Sequence, residues 1–223
     1  MEMENETKKI QDYSDAEEKL NIWSHGLGVF LSVIALGLLM WKASQYHDIY
    51  TYISFFIFGA SMISLYTAST TYHSATNPKK RFQLKVYDHI SIFIFIAGTY
   101  TPYALVTMHG KEGWIIFAVV WGIALFGSLL KIFFTGRFKL LSTLLYVGMG
   151  WIVVFSFNTL SEKLGSDGVF WLIAGGAAYT IGAIFYSIGR LKFNHAIFHI
   201  FVLIGSLCHF LSIYLYVYPK ISI

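Results

Sequence analysis

The sequence predicts an all-α polytopic membrane protein with seven transmembrane helices. Composition carries the first part of that prediction: 56% of the 223 residues are apolar and only 13% are charged, against about 25% charged in a soluble domain. The apolar residues also come in long runs, and a helix needs about 20 of them to cross a bilayer. Finally, such runs are not lone strands, because lipid offers no partner to an unpaired backbone N–H or C=O.

Along the chain, residues 1–20 form a polar tail with seven acidic residues and no cleavable signal peptide. The first apolar run is therefore expected to act as the insertion signal. Spans follow at about 21–45, 50–74, 88–109, 113–132, 140–160, 168–190 and 195–217, and a short tail, 218–223, ends the chain. With no internal repeat or low-complexity linker, one domain is the simplest organisation. In the sixth run Ala178 and Gly182 are four residues apart and share a helix face, a small-xxx-small pattern that lets helices pack closely.

Orientation follows from the cations. Lys8, Lys9 and Lys19 lie in the tail, Lys79, Lys80, Arg81 and Lys85 in the second loop, Lys131, Arg137 and Lys139 in the fourth, and Arg190 and Lys192 in the sixth. The other side holds only Lys42, Lys111, Lys163 and Lys220, a bias of twelve to four. Positive residues favour the cytoplasmic side, so the N-terminus is expected in the cytoplasm and the C-terminus outside the cell. That orientation excludes a G-protein-coupled receptor, whose N-terminus is outside. A retinal protein is excluded as well, since 195–217 holds no lysine for a Schiff base. The net charge of +4 resides in these loops, which argues for a multi-pass protein of the plasma membrane and against a nucleic-acid partner. The single cysteine, Cys208, rules out an intramolecular disulfide framework and a CxxC metal motif.

Five of the eight histidines, His25, His73, His89, His195 and His199, fall at the expected cytoplasmic ends of spans. His47 and His109 fall at outer loops, and His209 lies deeper in the last run. A single histidine near a helix end is commonly interfacial. Ionisable groups within spans are costly, however, and tend to mark function, and independent placement would scatter them over both ends. His195 and His199, in "HAIFH", project from one helix face and can share a metal ion, as two histidines do on HExxH helices. His73 supplies a third nitrogen if its helix packs beside the last, leaving a fourth position open as in catalytic zinc sites. Asp88 returns to a similar depth across the short loop, placed to orient water or accept its proton. Ser69 shares the face of His73, although serine is also common packing glue in spans. His47, Asp48 and His109 read as ordinary loop residues.

Three stretches carry a resemblance to a known family: "EEKLNIWSH" (17–25), "STTYH" (69–73) leading to "YDH" (87–89), and "HAIFH" (195–199), with "GTYTPY" (98–103) as supporting text. The chain resembles the hemolysin III branch of the progestin and adipoQ receptor superfamily, which includes the adiponectin receptors. The resemblance implies that His73, His195 and His199 bind zinc, that Asp88 contacts the water at the metal, and that Ser69 lines the site. Glu18 (or Glu17), Asn21 and His25 match the first motif, without an assigned role. It implies further a metal-dependent hydrolase of a membrane acyl lipid, ceramidase-like in cleaving an amide. The branch's name implies cytolysis, but the spans contain no amphipathic lytic segment. Two other functions use the same residues: a zinc-stabilised regulator or sensor of membrane homeostasis, and a proton pathway. The latter is weaker because the outer halves hold Tyr and Thr but no carboxylate.

Overall fold

A computed structural model describes residues 13–135 and 139–219 of the chain, and every regular element in it is helical. Lys8, Lys9, Arg137 and Lys220 of the charge count, most of the polar tail and the last residues of the chain lie outside the described residues. The elements are α1 (Asp15–Ser44), α2 (Ile49–Ser74), α3 (Pro78–Pro102), α4 (Gly110–Phe134), α5 (Lys139–Gly150), α6 (Phe157–Ser187) and α7 (Asn194–Tyr216). Helix α3 runs on through a π-helical segment, Tyr103–Met108, and a 3₁₀ turn, Ile152–Ser156, joins α5 to α6.

Two helices start earlier than the apolar runs alone suggest, and local chemistry explains both. Ser14 caps α1 by accepting from the Glu17 N–H (3.3 Å), with Asp15, Glu17 and Glu18 in the first turn, where carboxylates favour the positive end of the helix dipole. In α3, Asn77 accepts from the Lys80 N–H (3.1 Å) and Pro78 occupies the first turn, a position that proline's fixed φ suits. Lys79, Lys80, Arg81 and Lys85 thus ride on a helical extension of α3 and not on a loop.

Six stretches are long and apolar enough to cross a membrane, where seven runs were expected. The difference lies in Leu140–Ser187, which counts as one stretch of 48 residues. A straight helix of that length would reach about 72 Å, over twice the ~30 Å hydrocarbon thickness. The stretch is not straight. Gly165 adopts φ 76° and ψ 164°, a conformation open essentially only to glycine. Trp151 Nε1 then donates to Thr180 Oγ1 at 3.0 Å, although a straight helix would hold these residues about 43 Å apart. The chain therefore doubles back on itself near Gly165.

Helix α3 is the most buried of the six stretches. Pro102 lacks an N–H, so the helix shifts register and closes with His109 N–H donating to Ala104 C=O (3.1 Å) five residues back. The Tyr100 hydroxyl donates to Gly150 C=O (2.7 Å) and accepts from Val153 N–H (2.9 Å), satisfying the backbone where α5 breaks. Helices α6 and α7 meet along Gly168, Gly175 and Gly182, where a Cβ would strike Tyr216, His209 and Phe201 respectively. Gly182 of the expected small-residue pattern is thus one of three α6 glycines in this contact, and Gly205 of α7 packs on Tyr179 in the same way. Large apolar side chains such as Trp23, Phe133 and Phe155 cover the outside of the bundle, as expected of a surface solvated by lipid.

Candidate metal centre

His195 and His199 stand in the first turns of α7 because the chain leaving α6 is pinned tightly. Asn194 Nδ2 donates to Tyr186 C=O at 3.0 Å, and Phe193 turns through the left-handed region at φ 59° just before the helix starts. A bulky residue rarely adopts that conformation, and here it starts α7 directly at the histidine pair. His73 arrives from the last turn of α2. All three rings are buried, and one ring nitrogen of each lies within 4.8 Å of the others. His195 Nε2 is 3.1 Å from both His73 Nε2 and His199 Nε2.

The neighbours of the opposite nitrogens decide which protons the rings carry. His73 Nδ1 is 2.6 Å from Glu18 Oε2, a carboxylate that accepts only, so Nδ1 bears the hydrogen. Ser24 Oγ gives its proton to Asn21 C=O (3.1 Å) and lies 3.3 Å from His199 Nδ1, so it accepts from that ring as well. Both rings therefore turn an unprotonated Nε2 inward. His195 can donate to one of them at most, which leaves a buried lone pair without a proton. A cation among the three nitrogens resolves this. Tetrahedral zinc, with Zn–N of about 2.0–2.1 Å, separates its ligand nitrogens by about 3.3 Å, close to the 3.1 Å between His195 Nε2 and each of the other two. The three histidines can hold a metal ion, and the fit is good.

The first motif now has places. Glu18 links His73 to the Arg81 guanidinium, a carboxylate–histidine arrangement that raises ligand basicity in metal sites. Glu17 Oε1 accepts from the backbone N–H of His195 (3.3 Å). Asn21 Nδ2 is 3.4 Å from His73 Nδ1. His25 stacks flat on His199, with ring centroids 3.5 Å apart and planes 7° from parallel. Residues that the sequence reading left without a role also contribute: Ser24, Arg81 and Tyr13, whose ring stacks on His195 at 4.8 Å. The signal for Ser24 was the spacing of Glu17, Asn21, Ser24 and His25, which marks one face of a helix; Arg81 and Tyr13 gave none.

Asp88 and Ser69 lie side by side on α3 and α2. Asp88 does not join the three-histidine cluster. Both line a cavity of about 190 Å³ that His25, His195 and His199 also border. Asp48 and His109 have local partners instead: Asp48 caps α2 through Thr51 N–H (2.8 Å), and His109 Nδ1 contacts Leu105 C=O (3.2 Å). Among the described residues, only His73, His195 and His199 form a cluster of this kind.

Comparison with known proteins agrees with the motifs. The profile of haemolysin-III related proteins matches residues 13–210. The chain is 42% identical over 206 residues to Hemolysin-3 of Bacillus cereus, covering 92% of this chain and 94% of that protein. It is 42% identical over 200 residues to the Hemolysin-3 homolog of Bacillus subtilis (strain 168), covering 90% and 94%. The human monocyte to macrophage differentiation factor is more distant, at 26% over 211 residues, covering 91% and 85%. With six apolar helices in a matching chain, this is a multi-pass integral membrane protein, and it belongs to the haemolysin-III family.

Proposed function

We propose that the protein is a zinc-dependent hydrolase of a membrane acyl lipid, acting on an amide in the manner of a ceramidase. The observation that carries this reading is the convergence of three histidine nitrogens, two of them on rings that line the cavity holding Asp88 and Ser69. His73, His195 and His199 would hold the zinc. When bound, zinc supplies Lewis acidity: it polarises a carbonyl and makes water reactive near neutral pH. Asp88 would accept the proton from the attacking water, and Ser69 would orient that carboxylate. Largely apolar cavity walls suit an acyl chain.

The same reading takes the fold-back at Gly165 as the turn between two crossings, giving seven in all. It sets the N-terminus in the cytoplasm of a cell whose plasma membrane holds the protein, with the histidine cluster near the inner leaflet. A regulator without turnover is the second reading, favoured by the way Glu18, Ser24 and the three histidines tie α1, α2 and α7 together.

The test is purification in mild detergent without chelator, followed by metal analysis and incubation with vesicles containing a long-chain N-acyl sphingoid lipid. About one zinc per chain, with fatty acid release that stops on chelation and returns with zinc, is the expected result. Bound zinc without release of any acyl group would leave the regulator; a metal-free wild type would overturn both readings. Glu18→Gln keeps an acceptor for His73 but removes the charge, so zinc affinity measured by chelator competition should fall about 10–100-fold. An unchanged affinity would reduce the Glu18–Arg81 pair to a helix–helix contact.

A further inference from the structure

The cavity does not end at the histidine cluster. It extends along α7 as far as His209, ten residues past His199 and so about 15 Å deeper along the helix. His209 is 92% buried, being 8% exposed. It stands edge-on to the Tyr179 ring at 5.4 Å and fits against α6 only because residue 175 is glycine. Neither ring nitrogen has a hydrogen-bond partner among the described residues, and the nearby Leu172 carbonyl is outside bonding geometry.

The other polar side chains that line the main cavity near His209 are committed, whereas the Tyr103 hydroxyl, on the small cavity beside it, has no partner among the described residues. Thr99 donates to Phe95 C=O (2.8 Å), Thr180 to Gly176 C=O (2.8 Å) and Tyr100 to Gly150 C=O (2.7 Å). The Tyr179 hydroxyl pairs with Ser206 Oγ at 3.0 Å. His209 alone among them has an unsatisfied donor and an unsatisfied acceptor, on a ring that lines the cavity. A buried polar group left unpaired costs about 1–3 kcal/mol. A second, small cavity of about 30 Å³ also borders His209 and has room for about one water. The two ring nitrogens diverge, so one water cannot serve both.

We infer that His209 is the recognition point for a second polar group on the acyl chain, an oxygen borne far from the carbonyl. This inference rests on the acyl-lipid reading of the same cavity. The cluster would take the carbonyl end, and a hydroxyl or keto oxygen at the far end would give one His209 nitrogen its partner. The ~15 Å between the two points of α7 corresponds to a medium-length chain of roughly a dozen carbons. An unsubstituted chain that reached His209 would leave its nitrogens unpaired.

The experiment measures binding of dodecanoate and ω-hydroxydodecanoate to the zinc-loaded protein in nanodiscs, by titration calorimetry. The wild type should bind the hydroxylated chain about tenfold more tightly, the effect of one well-placed hydrogen bond. His209→Leu should bind the unsubstituted chain at least as well as the other, and His209→Gln, which still donates and accepts, should keep part of the preference. Retained zinc in each variant shows that the bundle has formed. Equal binding of both chains by the wild type overturns the inference and leaves the acyl-lipid reading standing. A preference that persists in His209→Leu places the recognition elsewhere and overturns the inference too. Binding of neither chain overturns the acyl-lipid reading and the inference together.

Discussion

His73→Ala protein is expected to retain less than about one hundredth of the wild-type metal affinity, because it loses a ligand outright where loss of a neighbouring hydrogen bond alone costs 10–100-fold. The stability consequence is as distinctive. His73 is on α2 while His195 and His199 are on α7, so a metal bound by all three ties together two helices far apart in the chain. A ligand present at 100 times its dissociation constant stabilises the folded state by about 2.7 kcal/mol. Chelation should therefore lower the melting temperature of the wild type and leave that of His73→Ala unchanged. His199→Ala should behave in the same way, with the further loss of the ring on which His25 stacks. Equal zinc content in wild type and both variants would place the metal elsewhere. A melting temperature indifferent to chelator in the wild type would remove the metal's role in holding α2 to α7.

Much of this arrangement was legible in the sequence, for identifiable reasons. Apolar runs report helices in a bilayer because lipid leaves the backbone no alternative. The HxxxH spacing of His195 and His199 fixes a common face whatever surrounds it, and the stretch between His73 and Asp88 is short enough to bring both near one depth, although most of it is the start of α3 and not a loop. Other features do not register as apolar periodicity. Ser14 and Asn77 extend helices into polar sequence, and only their capping chemistry marks them. The fold-back near Gly165 falls in the gap between the runs 140–160 and 168–190, but the positive φ that makes it is not marked among nineteen glycines.

Partnerships across helices were harder still. Glu17 and Glu18 are adjacent in sequence, yet one supports the backbone of His195 and the other the ring of His73. That division requires α1 to lie against α2 and α7 at once. His209 in an apolar run is indistinguishable in sequence from a packed core histidine. Only the cavity beside it and its vacant nitrogens set it apart.

Asp88→Asn is expected to lower lipid-amide turnover by about 10²–10⁴-fold, the usual contribution of a general base, while leaving zinc in place. Geometry separates the two effects. The carboxylate is outside the set of nitrogens that converge within 4.8 Å, so removing its charge deletes no ligand. It shares the cavity with His195 and His199, so it can reach a water held there. Asparagine matches aspartate in size and still hydrogen-bonds to Ser69, which keeps packing and solvation close to the original. Ser69→Ala should be milder, because it removes an orienting hydroxyl and leaves the base in place. Metal analysis run beside the activity assay gives the discriminating readout. Zinc lost from Asp88→Asn would make Asp88 a ligand and close the position left open for water. Full turnover in Asp88→Asn would shift the proton to another acceptor on the cavity wall, with His25, whose ring nitrogens are both unpartnered among the described residues, as the next residue to replace.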